Sequence, residues 1–291
     1  MTRHQAIVLD GDELARRKRG ELAAQVERLK RAGVEPALAT VLVGDNSASR
    51  SYVERKHADC REVGILSREI VLPVMTSQRD LLAEVRHLNK DPSVHGFLVQ
   101  FPLPEGLDEG IAASSILPTK DIDGLHPFNL GRLLTGNPTV LPCTPAGVLE
   151  LLTAYDVPIA GKRVLIIGRG TLVGRPLAML LSMKGIDATV TLAHSRTPEI
   201  GELALQSDVI ISAAGVPDLV TKDMVNPGAA VVGVGITYDS EGRMVSDIAD
   251  DVASVAGWKT PRHGSVGSLT RAFLLANLLQ LAEASVTPLG A

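Results

Sequence analysis

The 291-residue chain has few aromatic residues and only two cysteines. Phe, Trp and Tyr make up 3% of the sequence, so the core must be built mainly from Leu, Val, Ile and Ala. Cys60 and Cys143 form no CxxC pair, which argues against a disulfide framework or a zinc site and fits a reducing compartment. The histidines show no metal-ligand spacing, and we expect no bound metal.

The sequence also lacks a basic excess and long apolar segments. Its formal net charge of −4 and pI near 6.0 argue against nucleic acid or an anionic membrane as the main partner. No window reaches the roughly 18 uncharged apolar residues of a membrane span, and residues 1–10 lack the apolar stretch of a signal peptide. We therefore expect a cytoplasmic protein, and its length favours two domains.

Short apolar runs alternate with longer amphipathic stretches, a pattern typical of α/β proteins with parallel sheets covered by helices. Strands are predicted at 37–43, 67–72, 96–100, 163–167, 188–193, 208–213 and 229–234. Helices are predicted at 12–32, 47–63, 78–89, 145–155, 175–183 and 269–284. The stretch 101–145 is rich in Pro and Gly and has little periodicity, which indicates a segment that lines a site or joins domains.

A glycine-rich turn, GRGTLVG (168–174), lies between a predicted strand and a predicted helix. Glycines permit a tight turn and let backbone N–H groups approach a pyrophosphate at the helix N-terminus. We therefore predict that Gly168, Arg169, Gly170 and Gly174 bind a dinucleotide. The GxGxxxG spacing is one residue longer than the usual fingerprint, so a tight turn without a ligand remains an alternative.

The residues after the next predicted strand favour NADP over NAD. An NAD site usually places an acid there, whereas this chain has His194, Ser195 and Arg196. A hydroxyl and guanidinium groups attract a 2′-phosphate that a carboxylate would repel, and Arg169 can reach the same phosphate. The alternative for Arg196 is a solvated surface charge.

Four polar residues in the first half of the chain are candidates for chemistry. Tyr52 and Lys56 are spaced i and i+4, so they share one face of a helix that follows a strand. Gln100 would present a donor and an acceptor at the end of another strand, and Asp123 beside a glycine could bind adjacent N–H donors of an aminopyrimidinone ring. The alternatives are a surface coincidence for the Tyr–Lys pair, local backbone hydrogen bonds for Gln100 and an Asx-turn for Asp123.

Eight segments together resemble the bifunctional methylenetetrahydrofolate dehydrogenase/methenyltetrahydrofolate cyclohydrolase family, in the family's order. They are SYVERKHADC (51–60), GFLVQFPLP (96–104), PTKDIDGLHPFNLGRL (118–133), PCTPAG (142–147), GRGTLVGRP (168–176), HSRT (194–197), DMVNPGA (223–229) and TRAFLLAN (270–277). The resemblance implies NADP-dependent oxidation of 5,10-methylenetetrahydrofolate to 5,10-methenyltetrahydrofolate and hydrolysis of that product to 10-formyltetrahydrofolate. It also implies a place in one-carbon metabolism and purine biosynthesis.

The resemblance assigns roles to particular residues. Lys56 is implied to be the central catalytic residue, aided by Gln100, while Asp123 anchors the pterin and Tyr52 packs along the aminobenzoyl group. The implied substrate contacts are Tyr52, Gln100, Asp123, Gly264 and Gly267. The implied cofactor contacts beyond the glycine turn are Ser195, Arg196, Ile236 and Thr270.

The same resemblance implies two domains with a folate site in the cleft between them. The predicted folate-binding and catalytic α/β domain covers 1–143 and regains a C-terminal helix, 269–291. The predicted Rossmann-type NADP-binding domain covers 144–268. The family is generally homodimeric, so we expect a homodimer here.

The sequence departs from the family at several positions. Residues 260–270 read TPRHGSVGSLT where the family typically has TPVPGGVGPMT, so Arg262, His263, Ser265 and Ser268 are unusual. Gly233 replaces a common Asp, and Gly170 replaces a frequent Ser. These changes leave open a folate-binding paralogue with weakened or single activity. Another two-domain NADP-dependent dehydrogenase, for example one resembling shikimate dehydrogenases, would explain the glycine turn but not the motifs of Lys56, Gln100 and Asp123.

Overall fold

A computed structural model describes residues 5–238 and 244–286, which form two compact α/β units. One unit, here called the three-stranded unit, comprises residues 15–132, 138–143 and 271–291. The other, here called the six-stranded unit, comprises residues 1–14, 133–137 and 144–270. The main sheet of each unit pairs its strands in parallel, which confirms the predicted α/β class, and the six-stranded unit also has a two-stranded antiparallel sheet.

The helices and strands alternate along most of the chain. The helices are α1 Gly11–Arg31, α2 Ser47–Val63, α3 Gln78–Lys90, α4 Glu109–Ser115, α5 Pro127–Leu134, α6 Cys143–Ala154, α7 Gly174–Leu181, α8 Ile200–Leu205 and α9 Val266–Val286. The strands are β1 Ile7–Val8, β2 Ala37–Val43, β3 Leu66–Leu72, β4 Gly96–Val99, β5 Arg163–Ile167, β6 Thr189–Ala193, β7 Val209–Ser212, β8 Ala230–Gly233, β9 Ile236–Tyr238, β10 Met244–Ser246 and β11 Trp258–Lys259.

The three-stranded unit is built around β2, which pairs with β3 on one side and β4 on the other. Successive side chains of a strand point to opposite faces, so Leu38 and Ala39 enter different core clusters. The cluster containing Leu38 also holds Leu278 of α9, and the cluster containing Ala39 holds Leu81 of α3. Burial on both faces explains why β2 reads as a nearly continuous apolar run.

Helix α2, which carries Tyr52 and Lys56, has a defined start and end. The side chain of Asn46 caps the helix by accepting a 3.0 Å hydrogen bond from the backbone N–H of Ser49. The helix ends at Gly64, whose φ of 82° lies in the left-handed region that favours glycine. These caps define where the helix begins and ends. Tyr52 and Lys56 lie one turn apart on one of its faces.

The six-stranded unit has the strand order β1-β11-β8-β7-β5-β6. The chain passes from β5 to β6 on one side and returns to β7 on the other side of β5. In open α/β sheets, ligands bind at such a reversal of strand order, beyond the carboxyl ends of the strands. The turns after β5 and β7 are therefore the expected ligand position.

Several short elements were not predicted, namely β1, β9, β10, β11, α4, α5 and α8. Helices α4 and α5 fall within the stretch 101–145, where the sequence has little periodicity. They span 7 and 8 residues, which is too short for a clear apolar period. Strands β1 and β11 span 2 residues each and pair with one another.

Because of that pairing, the start of the chain belongs to the six-stranded unit, whereas the predicted first domain begins at residue 1. A two-residue strand carries no periodicity from which this placement could be predicted. The functional assignment of the spans 1–143, 144–268 and 269–291 stays a prediction, and the last five residues lie outside the described ones. No helix in the described ranges is long and apolar enough to cross a bilayer.

Candidate active site

Lys56 and Gln100 form the centre of a polar cluster in the three-stranded unit. Lys56 lies on α2 and is only 5% exposed, and its Nζ donates a 3.0 Å hydrogen bond to Oε1 of Gln100. Gln100 directly follows β4, and its Nε2 donates a 2.6 Å hydrogen bond to the carbonyl oxygen of Phe101. The second bond fixes the orientation of the amide, so its oxygen faces the lysine. Gln100 therefore bonds local backbone, as its alternative predicted, and also bonds Lys56, while its role in catalysis stays a prediction.

Tyr52 lies one helical turn before Lys56, and its ring packs against the amine. The Nζ atom of Lys56 lies 4.9 Å from the centroid of the ring, within the range of a cation–π contact. Burial raises the pKa of the Tyr52 phenol, and the charge of Arg271 partly opposes this. Tyr52 is therefore a neutral hydrogen-bonding group and an aromatic wall of the cluster.

Burial shifts the two charged groups of the cluster towards their neutral forms. It lowers the pKa of Lys56, while the nearby Asp123 carboxylate acts in the opposite direction. It raises the pKa of Asp123, and Lys56 opposes that rise. Burial thus makes Lys56 a weaker base that releases its proton more readily than an exposed lysine, as general acid–base catalysis requires.

Asp121, rather than Asp123, organises the turn that contains both residues. The Asp121 carboxylate accepts hydrogen bonds from the backbone N–H groups of Gly124 (3.1 Å) and His126 (2.8 Å) and from Nδ2 of Asn129 (2.8 Å). The Asx-turn alternative considered for Asp123 is therefore wrong, because its neighbour occupies that role. Among the described residues, no hydrogen-bond donor reaches the Asp123 carboxylate, which leaves it available to a ligand.

Helix α9 holds the segment around Asp123 in place. Nδ2 of Asn277 donates to the carbonyl oxygens of Ile122 (2.8 Å) and Leu141 (2.9 Å), and Asn277 is buried. Gly124 has a φ of 71°, and an added Cβ would lie 2.7 Å from the backbone of Leu141. Sequence analysis gave Asn277 no role, because its partners lie 155 and 136 residues away.

The six-stranded unit contains a cavity of about 410 Å³ beyond the carboxyl ends of its strands. The predicted residues Gly168, Arg169, Gly170 and Ser195 line it. The remaining lining residues are Ile167, His194, Ile200, Ala213, Ala214, Val216 and Leu219. The cavity therefore lies at the reversal of strand order between β5 and β7.

The glycine turn is closely packed at two positions and open at one. Gly168 has a φ of 115°, and an added Cβ would overlap the carbonyl oxygen of Ala213. Gly174 begins α7, and an added Cβ there would overlap the carbonyl oxygen of Gly168. Gly170 has no atom within 4 Å of an added Cβ, so the serine common in the family would fit. The turn thus has the close helix–strand packing and accessible backbone of a pyrophosphate site.

The groups predicted to receive a 2′-phosphate are exposed. Arg169, Ser195 and Arg196 are exposed, and neither arginine has an ion-pair partner within residues 5–238 and 244–286. The backbone N–H of Arg196 donates to Nδ1 of His194 (3.1 Å), which orders the turn after β6. Unpaired guanidinium groups beside a hydroxyl fit a phosphate dianion. Arg196 follows the cavity-lining Ser195 but does not line the cavity itself.

Four other predicted contacts, Gly174, Gly264, Gly267 and Thr270, do not line this cavity. Gly174 contributes to the close packing of the turn. The hydroxyl of Thr270 donates a hydrogen bond within α9, to the carbonyl oxygen of Val266 (2.9 Å). Ile236 begins β9, but its side chain lies outside the described part of the structure. Gly264 has a φ of 81° and Gly267 is the second residue of α9. The binding roles of these residues stay predictions.

Three of the departures from the family have a structural account. Ser265 has a φ of 64°, which explains the glycine common there, and its Oγ donates to the carbonyl oxygen of Leu9 (3.0 Å). Arg262 donates to Asp250 at 2.6 Å. At Gly233 an added Cβ would lie 2.9 Å from Oγ of Ser246, so a larger residue does not fit here without a shift. Nothing in the structure explains His263 or Ser268.

The fold and the two polar sites define an NAD(P)-binding α/β oxidoreductase with a second, lysine-centred site. Two family models match the chain: the tetrahydrofolate dehydrogenase/cyclohydrolase catalytic domain over residues 9–123, and the NAD(P)-binding domain of the same family over residues 142–286. The chain belongs to the tetrahydrofolate dehydrogenase/cyclohydrolase family. The resemblance found in the sequence is confirmed.

Solved structures agree over nearly the whole chain. A bifunctional methylenetetrahydrofolate dehydrogenase/cyclohydrolase from Campylobacter jejuni is 41% identical, with a TM-score of 0.92 over 96% of this chain and 99% of that one. A methylenetetrahydrofolate dehydrogenase-cyclohydrolase from Trypanosoma brucei, complexed with NADP cofactor and inhibitor, is 40% identical, with a TM-score of 0.92 over 97% and 99%. A 5,10-methylenetetrahydrofolate dehydrogenase from the silkworm Bombyx mori is 37% identical, with a TM-score of 0.92 over 96% and 98%.

The rival dehydrogenase class is related in fold alone. A shikimate 5-dehydrogenase from Thermus thermophilus is 14% identical, with a TM-score of 0.54 over 86% of this chain and all of that one. The two classes thus share a fold. The family matches distinguish them and exclude a shikimate-type dehydrogenase for this chain.

Proposed function

We propose that this chain oxidises 5,10-methylenetetrahydrofolate with NADP and hydrolyses the resulting 5,10-methenyltetrahydrofolate to 10-formyltetrahydrofolate. The observation that carries the proposal is the buried Lys56 amine held by Gln100, in a chain that also has a dinucleotide cavity. The bifunctional relative from Campylobacter jejuni and the NADP complex from Trypanosoma brucei support both activities.

In the oxidation step, NADP supplies the hydride acceptor, and this chain supplies binding and orientation. The backbone at Gly168 and Gly170 and the N-terminus of α7 hold the pyrophosphate. Arg169, Ser195 and Arg196 bind the 2′-phosphate and so select NADP. Loss of hydride from the methylene carbon leaves the substrate as a methenyl cation, bridged between N5 and N10.

In the hydrolysis step, Lys56 moves the protons. Neutral Lys56 accepts a proton from the water whose oxygen bonds to the methenyl carbon. The hydroxyl group of the adduct then loses its own proton to solvent as the C=O bond forms, the carbon–N5 bond breaks, and Lys56 returns its proton to N5, which leaves the formyl group on N10. Gln100 keeps the amine pointing at the reacting carbon through its 3.0 Å hydrogen bond.

Asp123 and Tyr52 bind the folate. The Asp123 carboxylate accepts hydrogen bonds from the adjacent N–H groups of the pterin ring, which provides the partners that it lacks among the described residues. Burial raises the pKa of Asp123, and these two donors offset that effect by stabilising the carboxylate. Tyr52 presents its ring to the aminobenzoyl group.

The functional form is a cytoplasmic homodimer. Strand β3 is at one edge of its sheet, and its outer edge pairs with no other strand of the described chain. Leu66 and Val71 of this strand are 51% and 48% exposed, and Met75 shortly after it is 88% exposed. An exposed apolar edge of this kind favours pairing with a second copy. The two free cysteines fit a reducing compartment.

A two-part absorbance assay tests the function. With 5,10-methylenetetrahydrofolate, we expect rapid NADPH formation with NADP and much slower reduction of NAD. With 5,10-methenyltetrahydrofolate and no cofactor, we expect accelerated loss of the methenyl absorbance. NADPH formation without accelerated hydrolysis would identify a single-activity paralogue, and binding without either turnover would identify a folate-binding protein.

A further inference from the structure

The loop after β7 forms one wall of the dinucleotide cavity. Ala213, Ala214, Val216 and Leu219 all line the cavity. Loops of this kind are usually held by their own side chains or by neighbouring backbone. Here the loop bonds to the backbone of residues 246–249, and the carboxylate of Asp247, distant in sequence, adds a side-chain anchor.

Asp247 is fully buried and gathers three donors on one oxygen. Its Oδ2 accepts hydrogen bonds from Oγ of Ser212 (2.8 Å) and from the backbone N–H groups of Ala214 (2.9 Å) and Gly215 (3.2 Å). Hydrogen bonds to a carboxylate are stronger than neutral ones, and they are needed to offset the cost of burying the charge. The loop conformation at 214–215 therefore depends on this side chain.

The same carboxylate packs against the chain that enters β9. An added Cβ at Gly235 would overlap both oxygens of Asp247, so the backbone there approaches the carboxylate closely. Thr237 completes the connection, since its Oγ1 donates a 2.6 Å hydrogen bond to the carbonyl oxygen of Gly215. Residues 213–215 and 235–237 are thus fastened together around Asp247.

One oxygen of Asp247 has no partner in the described structure. Oδ1 is buried and accepts no hydrogen bond from residues 5–238 or 244–286. A buried polar atom without a partner costs stability, and such atoms are retained mainly where function requires the side chain.

We propose that Asp247 is a positioning residue for NADP, holding residues 213–215 and 235–237 in the conformation that receives the cofactor. The inference rests on the proposed function. Ile236, the residue implied to meet the nicotinamide amide, lies within the second of these segments. Asp247 thereby couples the wall of the cavity to the backbone at that predicted contact.

The test measures the Kd of NADP by isothermal titration calorimetry for wild type, Asp247→Asn and Ser212→Ala. Asn has the shape of Asp but lacks the charge, so its hydrogen bonds to the loop are weaker. We expect the Kd to rise about 10- to 100-fold in Asp247→Asn and by a smaller factor in Ser212→Ala. Asp251→Asn, a nearby exposed aspartate, is the matched control and should bind NADP as wild type does.

Hydrolysis of 5,10-methenyltetrahydrofolate without NADP is the second readout. A positioning role for the cofactor predicts an unchanged hydrolysis rate in Asp247→Asn, whereas a general structural role predicts that both properties fall together and would overturn the inference. An NADP Kd for Asp247→Asn within twofold of the wild-type value would also overturn the inference. Twofold corresponds to roughly 0.4 kcal/mol of binding free energy. If Asp247→Asn does not fold, an unchanged Kd of NADP in Ser212→Ala would overturn the inference. Failure of wild type to bind NADP would instead refute the proposed function.

Discussion

The amide of Gln100 bridges Lys56 and the carbonyl oxygen of Phe101, accepting at 3.0 Å from the first and donating at 2.6 Å to the second. The amide cannot rotate without losing both bonds. This fixes the position of a buried amine whose pKa is lowered by burial. Position and pKa together make Lys56 suitable for proton transfer to and from a bound substrate.

The charge of Asp123 should control the pH dependence of hydrolysis. The Asp123 carboxylate raises the pKa of Lys56, opposing the effect of burial. Asp123→Asn removes that charge, so the pKa of Lys56 should fall further. Since neutral Lys56 is the base, the rise of kcat with pH should move to lower pH.

A pH profile of kcat for hydrolysis of 5,10-methenyltetrahydrofolate checks the direction of this shift. Asp91→Asn is a suitable control, because the pKa of Asp91 is held near 2 by its bonds to Ser93 and Arg68 rather than by Lys56. A profile that moves to higher pH in Asp123→Asn would contradict the assignment.

Alanine substitution at two glycines of the same turn should affect NADP binding differently. Gly174→Ala places a Cβ on the carbonyl oxygen of Gly168, so the turn must open and NADP binding should weaken at least about 10-fold. Gly170→Ala meets nothing within 4 Å and should leave the Kd close to wild type. Calorimetric titration with NADP measures the Kd of both variants. Equal Kd values would argue against close packing at Gly174.

The preference for NADP over NAD should depend on the exposed Arg169. Arg169→Ala removes a guanidinium group from the wall of the cavity, so the ratio of kcat/KM for NADP over NAD should fall by about 10-fold, the equivalent of one charge-assisted hydrogen bond. Arg175 is exposed nearby on α7 but does not line the cavity, so Arg175→Ala is the matched control. An unchanged ratio of kcat/KM for NADP over NAD in Arg169→Ala would indicate that the 2′-phosphate binds elsewhere.

Asn277 should contribute to stability through the two carbonyl groups that it satisfies. Asn277→Ala leaves the carbonyl oxygens of Ile122 and Leu141 without this donor, which should lower the free energy of unfolding by about 1–3 kcal/mol. Gln280→Ala, one turn later on α9, removes a more exposed bond to Thr139 and should cost less. Urea denaturation of the two variants gives the comparison.

Much of this arrangement could be predicted from the sequence, because its signals are local. Strands such as β2 and β5 are continuous apolar runs, whereas the partnership of Lys56 with Gln100 was implied by the family resemblance. The contribution of Asp121 could not be separated from that of Asp123, since either acid can cap a turn that ends in glycine. Only the folded chain shows which carboxylate receives the backbone donors.

Other features depend on partners far apart in the sequence. Asp247 lies 35 residues from Ser212, and nothing in its own neighbourhood indicates that it anchors a loop after β7. The hydroxyl of Ser265 bonds to Leu9 across 256 residues, so its compensation for a strained φ could not be predicted either. Short elements such as α4 and β11 were missed because they are shorter than the periods that reveal them.

The most direct measurement of the central claim is the hydrolysis rate of 5,10-methenyltetrahydrofolate in Lys56→Ala, taken beside the Kd of NADP in the same preparation. Loss of the general acid–base should lower the rate by about 100- to 10,000-fold. NADP should bind with the wild-type Kd, because Lys56 does not line the dinucleotide cavity. A Lys56→Ala variant that hydrolyses the substrate at the wild-type rate would contradict the account.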